Sequence, residues 1–318
     1  MVMANSLCRL LRARHPEVRV DVLAPAWSLP VIGRMAEVRT GIISPAAHGE
    51  LALGRRRRVA DSLRPAAYRQ AIVLPRSLKS ALIPWFADIP RRTGFRGEMR
   101  FGLINDMRPF DRSVLDQTVK RFVALGVAPG DALPPIPEPR LETSKEQQAS
   151  AMQKLGLHRD RPVIGLMPGA EYGPAKCWPL EYFAKLAARL GECGRSVWVL
   201  GSERDRPAGE QIAAASGAVD LCGRTTLEDV IDLLACCEAV VTNDSGLMHV
   251  AAAVGTHVIA IYGSTSPAFT PPLTANGTVH HLALDCSPCF RRECPLGHLR
   301  CLRELTPDAV FATVVPGD

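Results

Sequence analysis

The pattern of apolar and polar residues predicts strands and helices that alternate along most of the chain. In Val240–Val254 a β-branched apolar run passes through a short polar turn into a helix of small residues, which ends at Gly255. Pro162–Met167 and Ser196–Leu200 predict further strands, and Thr225–Glu228 has the form of a capping box that begins a helix. Strands that alternate with helices in this way are typical of parallel βαβ units.

The first 140 residues show the same alternation less regularly. Met1–Arg14 has the spacing of an amphipathic helix, and Arg19–Ala24 and Ala71–Leu74 predict strands. The arginine-rich segment Arg91–Arg100 contains glycines and lacks a clear period, so it predicts a basic loop.

A proline-rich string at residues 130–140 predicts a stiff linker. We therefore expect one domain at residues 1–140 and a second at residues 141–318. Each half has the alternation of a Rossmann-like domain, and together they predict an α/β architecture of two facing, doubly wound parallel sheets.

Composition and charge narrow the class of protein. The chain of 318 residues is 47% hydrophobic and 22% charged, as soluble globular proteins are. It has neither an apolar run of the ~20 residues that span a membrane nor a signal-peptide core, so we expect a cytoplasmic location.

The charge is distributed unevenly along the chain. Residues 1–140 hold 23 Lys and Arg against 12 Asp and Glu, whereas residues 141–318 hold 15 against 20. A basic domain suits a polyanionic partner, and a solvated basic face is the alternative. The run Arg55–Arg58 has no RNA-binding signature around it, so we expect no nucleic-acid partner.

Polar residues follow three predicted strands of the second half, at Gly169–Lys176, Gly201–Asp205 and Asp244–His249. Because parallel strands present their carboxyl ends at one edge, these segments converge. A lysine, turn amides and carboxylates together describe a nucleotide-diphosphate site, although neither a P-loop nor a dinucleotide-binding glycine motif is present. The third segment has an alternative reading, a helix cap with a core histidine.

Four of the ten cysteines form a spaced group near the carboxyl terminus: Cys286, Cys289, Cys294 and Cys301. Their spacing fits a tetrahedral structural zinc site, in which His298 could replace one thiolate. Reduced thiols and disulfides are the alternatives.

Three long stretches resemble the lipopolysaccharide heptosyltransferases of glycosyltransferase family nine: Pro168–Pro179, Thr242–Ala253 and Tyr262–Leu273. The similarity continues through Ala24–Pro30, Leu74–Phe86 and Arg92–Asp106. It implies an inverting GT-B enzyme that needs no metal for catalysis and moves heptose from ADP-heptose onto the first heptose of the lipopolysaccharide inner core. Such an enzyme would work in peripheral contact with the cytoplasmic face of the inner membrane.

The resemblance also implies roles for individual residues. Lys176 would contact the donor diphosphate, Glu203 would lie near the ribose, and Asp244 would line the phosphate and sugar pocket. Lys176 and Asp244 are the catalytic candidates. The predicted donor-binding residues are Gly169, Ala170, Lys176, Glu203, Asp244, Ser245, Gly246 and His249.

For the acceptor side the sequence offers charge rather than a motif. Inner-core lipopolysaccharide carries carboxylates and often phosphates, so the basic first domain would face it. Lys79 follows a predicted strand end, and guanidinium groups suit carboxylates. The predicted acceptor-binding residues are Lys79, Arg92, Arg96 and Arg100.

One departure from the family pattern concerns the general base. In the family, the first strand ends in a Gly-Asp pair whose Asp supplies this base. The residues after the pair match Met1 onward, so this sequence does not contain that Asp. General-base catalysis typically contributes on the order of 10²–10⁴ in rate, so we expect an intact donor site with poor turnover. A misplaced start codon or a trimmed chain explains the difference equally well. A non-catalytic protein that binds nucleotide sugar or lipopolysaccharide core is the alternative function.

Overall fold

The computed structural model describes residues 1–45 and 50–315. The chain divides into two compact units, Met3–Pro137 and Glu138–Asp318. This division falls inside the predicted proline-rich linker, slightly before the predicted boundary. Both units are α/β, and all strand pairs in the described ranges are parallel.

The first unit contains α1 Val2–Arg14, β1 Val20–Ala24, α2 Leu29–Ile32, β2 Val38–Ile43, α3 Leu53–Leu63, β3 Gln70–Val73, α4 Leu82–Phe86, β4 Arg91–Phe95, β5 Asp106–Arg108 and α5 Thr118–Ala124. Its strands form two sheets, a β1-β2 pair and a three-stranded sheet in the order β3-β4-β5. All of these strands are parallel, and no described residue pairs the two groups.

Strand β4 takes up the first half of the basic loop predicted at Arg91–Arg100, and the residues from Arg96 to Arg100 form a loop. Thr93 and Phe95 are buried, and the strand pairs with both β3 and β5. Arg92 breaks the apolar pattern without breaking the strand, because its guanidinium donates to the carbonyls of Ile89 (2.6 Å) and Leu103 (2.7 Å). Backbone acceptors thus allow a charged residue in this strand.

The Arg55–Arg58 run lies on helix α3, and some of its members are structural. Arg56 is buried and donates to the carbonyl of Leu51 at 2.7 Å. Arg57 lies 3.3 Å from Asp61, one turn along the helix. The run is therefore not a uniform, solvent-facing cationic patch.

The second unit contains α6 Lys145–Leu155, β6 Val163–Met167, α7 Leu180–Glu192, β7 Ser196–Val199, α8 Arg206–Ser216, β8 Val219–Asp220, α9 Leu227–Cys236, β9 Ala239–Asn243, α10 Gly246–Ala253, β10 His257–Ile261, β11 Gly277–His280, α11 Arg300–Arg303 and α12 Pro307–Val314. The strands of this unit form a six-stranded parallel sheet in the order β11-β10-β9-β6-β7-β8. The inner strands β6 and β9 are buried along their whole length, which explains their continuous apolar sequences.

Helix α9 begins one residue later than the predicted capping box. Thr226 is the N-cap, its hydroxyl accepts from the Asp229 N–H at 3.3 Å, and the Asp229 carboxylate accepts from the Thr226 N–H at 2.8 Å. Thr225 with Glu228 and Thr226 with Asp229 both fit the sequence pattern, so local residues alone do not choose between them.

Candidate active site

Three loops of the second unit meet at the carboxyl edge of its sheet, because β7, β6 and β9 are adjacent strands. Asn243 joins two of them: its amide donates to the Pro168 carbonyl at 2.7 Å, and its side-chain oxygen accepts from the Trp178 N–H at 3.0 Å. Gly169 faces the third loop so closely that a Cβ there would lie 2.4 Å from Asp205 Oδ1. The predicted convergence is confirmed.

A buried ion pair lies where the loops meet. Lys176 Nζ donates to Asp244 Oδ2 at 2.6 Å, and the two side chains are only 14% and 6% exposed. The same carboxylate oxygen accepts from Thr265 Oγ1 at 2.6 Å. Lys176 Nζ also lies 5.1 Å from the ring centroid of Tyr172. The lysine is therefore held by a carboxylate and an aromatic ring.

Helix α10 presents its amino terminus beside this pair. Ser245 is the N-cap, and its hydroxyl accepts from the Met248 N–H at 3.4 Å. Gly246 is exposed, and a Cβ there would meet no atom within 4 Å. The first N–H groups of a helix have no partner within the helix and carry partial positive charge. This end of α10 is open to an anion.

His249 lies about one turn into α10 and is half-buried. Its Nδ1 is buried and has no hydrogen-bond partner among the described residues. Burial lowers the pKa of His249 to about 4, so the imidazole is neutral at pH 7. A neutral histidine behind the helix start fits both the predicted position and the alternative of a core histidine.

Glu203 and Ala170 occupy more open positions than the ion pair. The Glu203 carboxylate accepts from Arg206 at 2.9 Å and is largely exposed. Ala170 is half-buried directly after Gly169. Asp205 closes the same loop by accepting from the Ser202 N–H at 2.8 Å.

Two of the four predicted acceptor residues donate to backbone carbonyls of the first unit. Arg100 is 1% exposed and donates to the carbonyls of Pro75 (2.7 Å) and Phe95. Arg92 likewise donates to backbone carbonyls. The buried Arg100 therefore cannot bind the acceptor, whereas the assignment of half-buried Arg92 stays a prediction. Lys79 is half-buried and Arg96 is exposed.

The four carboxyl-terminal cysteines line one pocket, together with Ala175 and Ser264. They are free thiols that range from exposed Cys286 to buried Cys301. Burial, followed by the neighbouring thiols, raises the pKa of Cys301. Within residues 1–45 and 50–315, no group of three or more His, Cys, Asp or Glu is arranged to hold a metal ion. Structural zinc and reduced thiols therefore both stay predictions for this pocket.

Sequence reasoning missed several residues of the site. Asn243 stands at a strand end, so the rule that selected Asp244 could have found it too. Thr265 and Tyr172 lie in loops, where no period or spacing indicates a contact with a residue elsewhere in the chain.

Comparison with known proteins gives a consistent family. The glycosyltransferase family 9 (heptosyltransferase) pattern matches residues 56–300. Lipopolysaccharide heptosyltransferase 2 of Salmonella typhimurium is 44% identical, over 98% of this chain and 93% of that protein. Lipooligosaccharide heptosyltransferase 2 of Haemophilus influenzae is 45% identical, over 89% and 85%. The solved structure of Escherichia coli ADP-heptose LPS heptosyltransferase II has a TM-score of 0.89 at 40% identity and covers 99% of this chain and 93% of that one.

The parallel α/β units, the site at the strand ends and the structural likeness define a GT-B glycosyltransferase, which confirms the predicted fold class. The chain belongs to glycosyltransferase family 9, the heptosyltransferases. Since its relatives are named as transferases, the non-catalytic alternative is not favoured.

We predict that Asn243→Ala lowers the free energy of unfolding by about 2–4 kcal/mol, because it leaves a buried carbonyl and a buried N–H without partners. Urea unfolding at pH 7 measures the loss. Asn276→Ala is the control, since Asn276 is exposed. Equal losses in both variants would contradict this account of Asn243.

We predict that His249 makes stability fall as the pH drops below about 6.5, its ordinary pKa. The unfolded chain then takes up a proton that the folded chain refuses until about pH 4. Between pH 7 and pH 4.5 the protein should lose about 1–2 kcal/mol more than His249→Gln, allowing for partial exposure. Urea unfolding at both pH values decides this, and identical losses would show that His249 is not buried as described.

Proposed function

We propose that this chain transfers heptose from ADP-heptose to the first heptose of the lipopolysaccharide inner core, with inversion at the anomeric carbon. The observation that carries the proposal is the Lys176–Asp244 pair beside the open start of α10. Membership of a heptosyltransferase family and relatives named heptosyltransferase 2 support the choice of sugar and acceptor.

Lys176 and the amides of Ser245 and Gly246 would bind the donor diphosphate. The Lys176 ammonium group donates to Asp244 Oδ2 and to the Asp244 carbonyl, which leaves one donor for a phosphate oxygen. When the bond from the sugar to the diphosphate breaks, negative charge grows on the departing ADP. The lysine and the positive end of α10 would stabilise this charge without a metal ion.

The remaining donor residues would surround the nucleotide and the sugar. Glu203, at the exposed rim, would accept hydrogen bonds from the ribose. Ala170 would leave room beside it, because its side chain is small, and Gly169 lets Asp205 pack directly against the loop. Asp244 would orient Lys176 and face the sugar, with neutral His249 behind it.

The basic first unit would face the acceptor at the cytoplasmic side of the inner membrane. Arg96 and Lys79 would meet its carboxylates and phosphates. Met99 and Phe101 are 83% and 67% exposed, and the Arg96 guanidinium lies 6.0 Å from the Phe101 ring. Apolar side chains beside a cation suit an anionic lipid surface. No described helix is long and apolar enough to cross a bilayer.

A transfer assay tests the proposal. Purified protein with ADP-heptose should release ADP and add one heptose to a mono-heptosylated core, as mass spectrometry would detect. Absence of transfer to this acceptor would contradict the proposed reaction.

We predict that Lys176→Ala weakens ADP binding by roughly 10–150-fold, because it removes an ionic phosphate contact worth about 1.5–3 kcal/mol. It also leaves the Asp244 carboxylate without its cation, so unfolding should be measured alongside calorimetry. Lys185→Ala is a matched control on the exposed side of α7. Unchanged ADP affinity in a folded Lys176→Ala protein would remove Lys176 from the donor site.

We predict that Lys79→Ala and Arg96→Ala each lower kcat/KM for the acceptor by about three- to tenfold, as loss of a partly exposed ionic contact should. ADP affinity should stay unchanged. Kinetics with the acceptor varied at fixed salt measures this, with exposed Arg14→Ala as the control. Equal small losses in all three variants would indicate diffuse electrostatic attraction instead of an acceptor site.

A further inference from the structure

Arg292 belongs to the cysteine-containing segment that follows β11, and its main chain lies directly on the loop that carries Lys176. The Arg292 carbonyl accepts from the Ala175 N–H at 3.0 Å. Gly173 approaches so closely that a Cβ there would be 2.6 Å from this carbonyl oxygen. The Tyr172 hydroxyl donates to the Phe290 carbonyl at 2.7 Å. Backbone groups thus fix the position of Arg292 beside the donor loop.

The same segment is anchored to the loop after β10. The Phe290 N–H donates to the Ser264 carbonyl at 2.7 Å, and the Ser287 hydroxyl donates to the Gly263 carbonyl at 2.6 Å. Thr265, which donates to the buried carboxylate of Asp244, is the next residue of that loop. The segment therefore rests on two of the loops that build the site.

The side chain of Arg292 approaches the same aromatic ring as Lys176. The Arg292 Cζ lies 5.5 Å from the Tyr172 ring centroid, and Lys176 Nζ lies 5.1 Å from it. Both distances are typical of cation–π contacts. The ring thus brings two cationic groups into one neighbourhood.

The balance of charge shows why a second cation is useful here. Lys176 is neutralised by Asp244, and the two arginines that follow β7 have acidic partners: Arg204 with Glu171 at 3.7 Å and Arg206 with Glu203 at 2.9 Å. In the described ranges, no carboxylate forms an ion pair with Arg292. A diphosphate would therefore meet a lysine whose charge is already matched and an arginine whose charge is not.

We propose that Arg292 binds the diphosphate of the donor, as a second cation supplied by the carboxyl-terminal segment. A guanidinium can donate to two phosphate oxygens at once, which suits a diphosphate better than a single ammonium does. This proposal rests on the proposed function, since it takes ADP-heptose as the donor. It gives the cysteine-containing segment a part in donor binding that needs no chemistry at the thiols.

Calorimetry with ADP tests the proposal. Arg292→Ala should weaken ADP binding about tenfold, and Arg292→Lys, which keeps the charge, about threefold. Arg291→Ala is the matched control, an exposed arginine one residue away, and should bind ADP as the unchanged protein does. The thermal midpoint should stay the same in all three, because the carbonyl rather than the side chain of Arg292 anchors the segment. In transfer assays Arg292→Ala should raise KM for ADP-heptose more than it lowers kcat.

Several results would overturn the proposal. They are an ADP affinity of Arg292→Ala within about twofold of the unchanged protein, an equal loss in Arg291→Ala, or an Arg292→Lys protein as weak as Arg292→Ala. Lys176→Ala, measured in parallel, separates this failure from failure of the proposed function. If Lys176→Ala loses affinity and Arg292→Ala does not, only the role of Arg292 is rejected. If neither loses affinity, the donor site itself is rejected.

Discussion

The candidate active site depends on one buried carboxylate. Asp244 accepts from Lys176 and Thr265 through a single oxygen, so the loops after β6, β9 and β10 are joined at one point. A buried charge that loses its partner is strongly destabilising, which favours the arrangement in which all three loops close together. The sheet makes this possible, because β6, β9 and β10 are consecutive neighbours and deliver their loops to the same edge.

Much of the second unit could be predicted because local pattern and a general rule agree there. The apolar run before Asp244 has to be a buried strand, and the small residues after Ser245 form a helix that Ser245 caps. The rule that parallel strands share an edge then brings Lys176 to Asp244, although 68 residues separate them in the chain. The sequence therefore predicts that Lys176 lies near Asp244. It does not predict that the two side chains form an ion pair.

What could not be predicted depends on partners that the sequence does not show. By charge alone, Arg92 and Arg100 are candidates for binding an anionic acceptor. In the structure both donate to backbone carbonyls, which only the folded chain brings close to them. Tyr172 and Arg292 are not indicated by any pattern in the sequence. They contact each other only because the fold brings together loops from distant points of the chain. In the first unit, the same strand pattern fits one sheet or two, and only the pairing of strands decides.

The strand order of the second unit has a consequence for how the protein folds. Strand β6 pairs with β9, which is made well after it, and the loop of Lys176 is completed by a segment beyond β11. Contacts between distant parts of a chain form slowly, because closing a long loop costs entropy before the contact is gained. A growing chain has β6 and its loop long before it has β9 and the segment beyond β11. A ligand that needs the complete site would therefore stabilise only the finished second unit, and it would act at the end of folding.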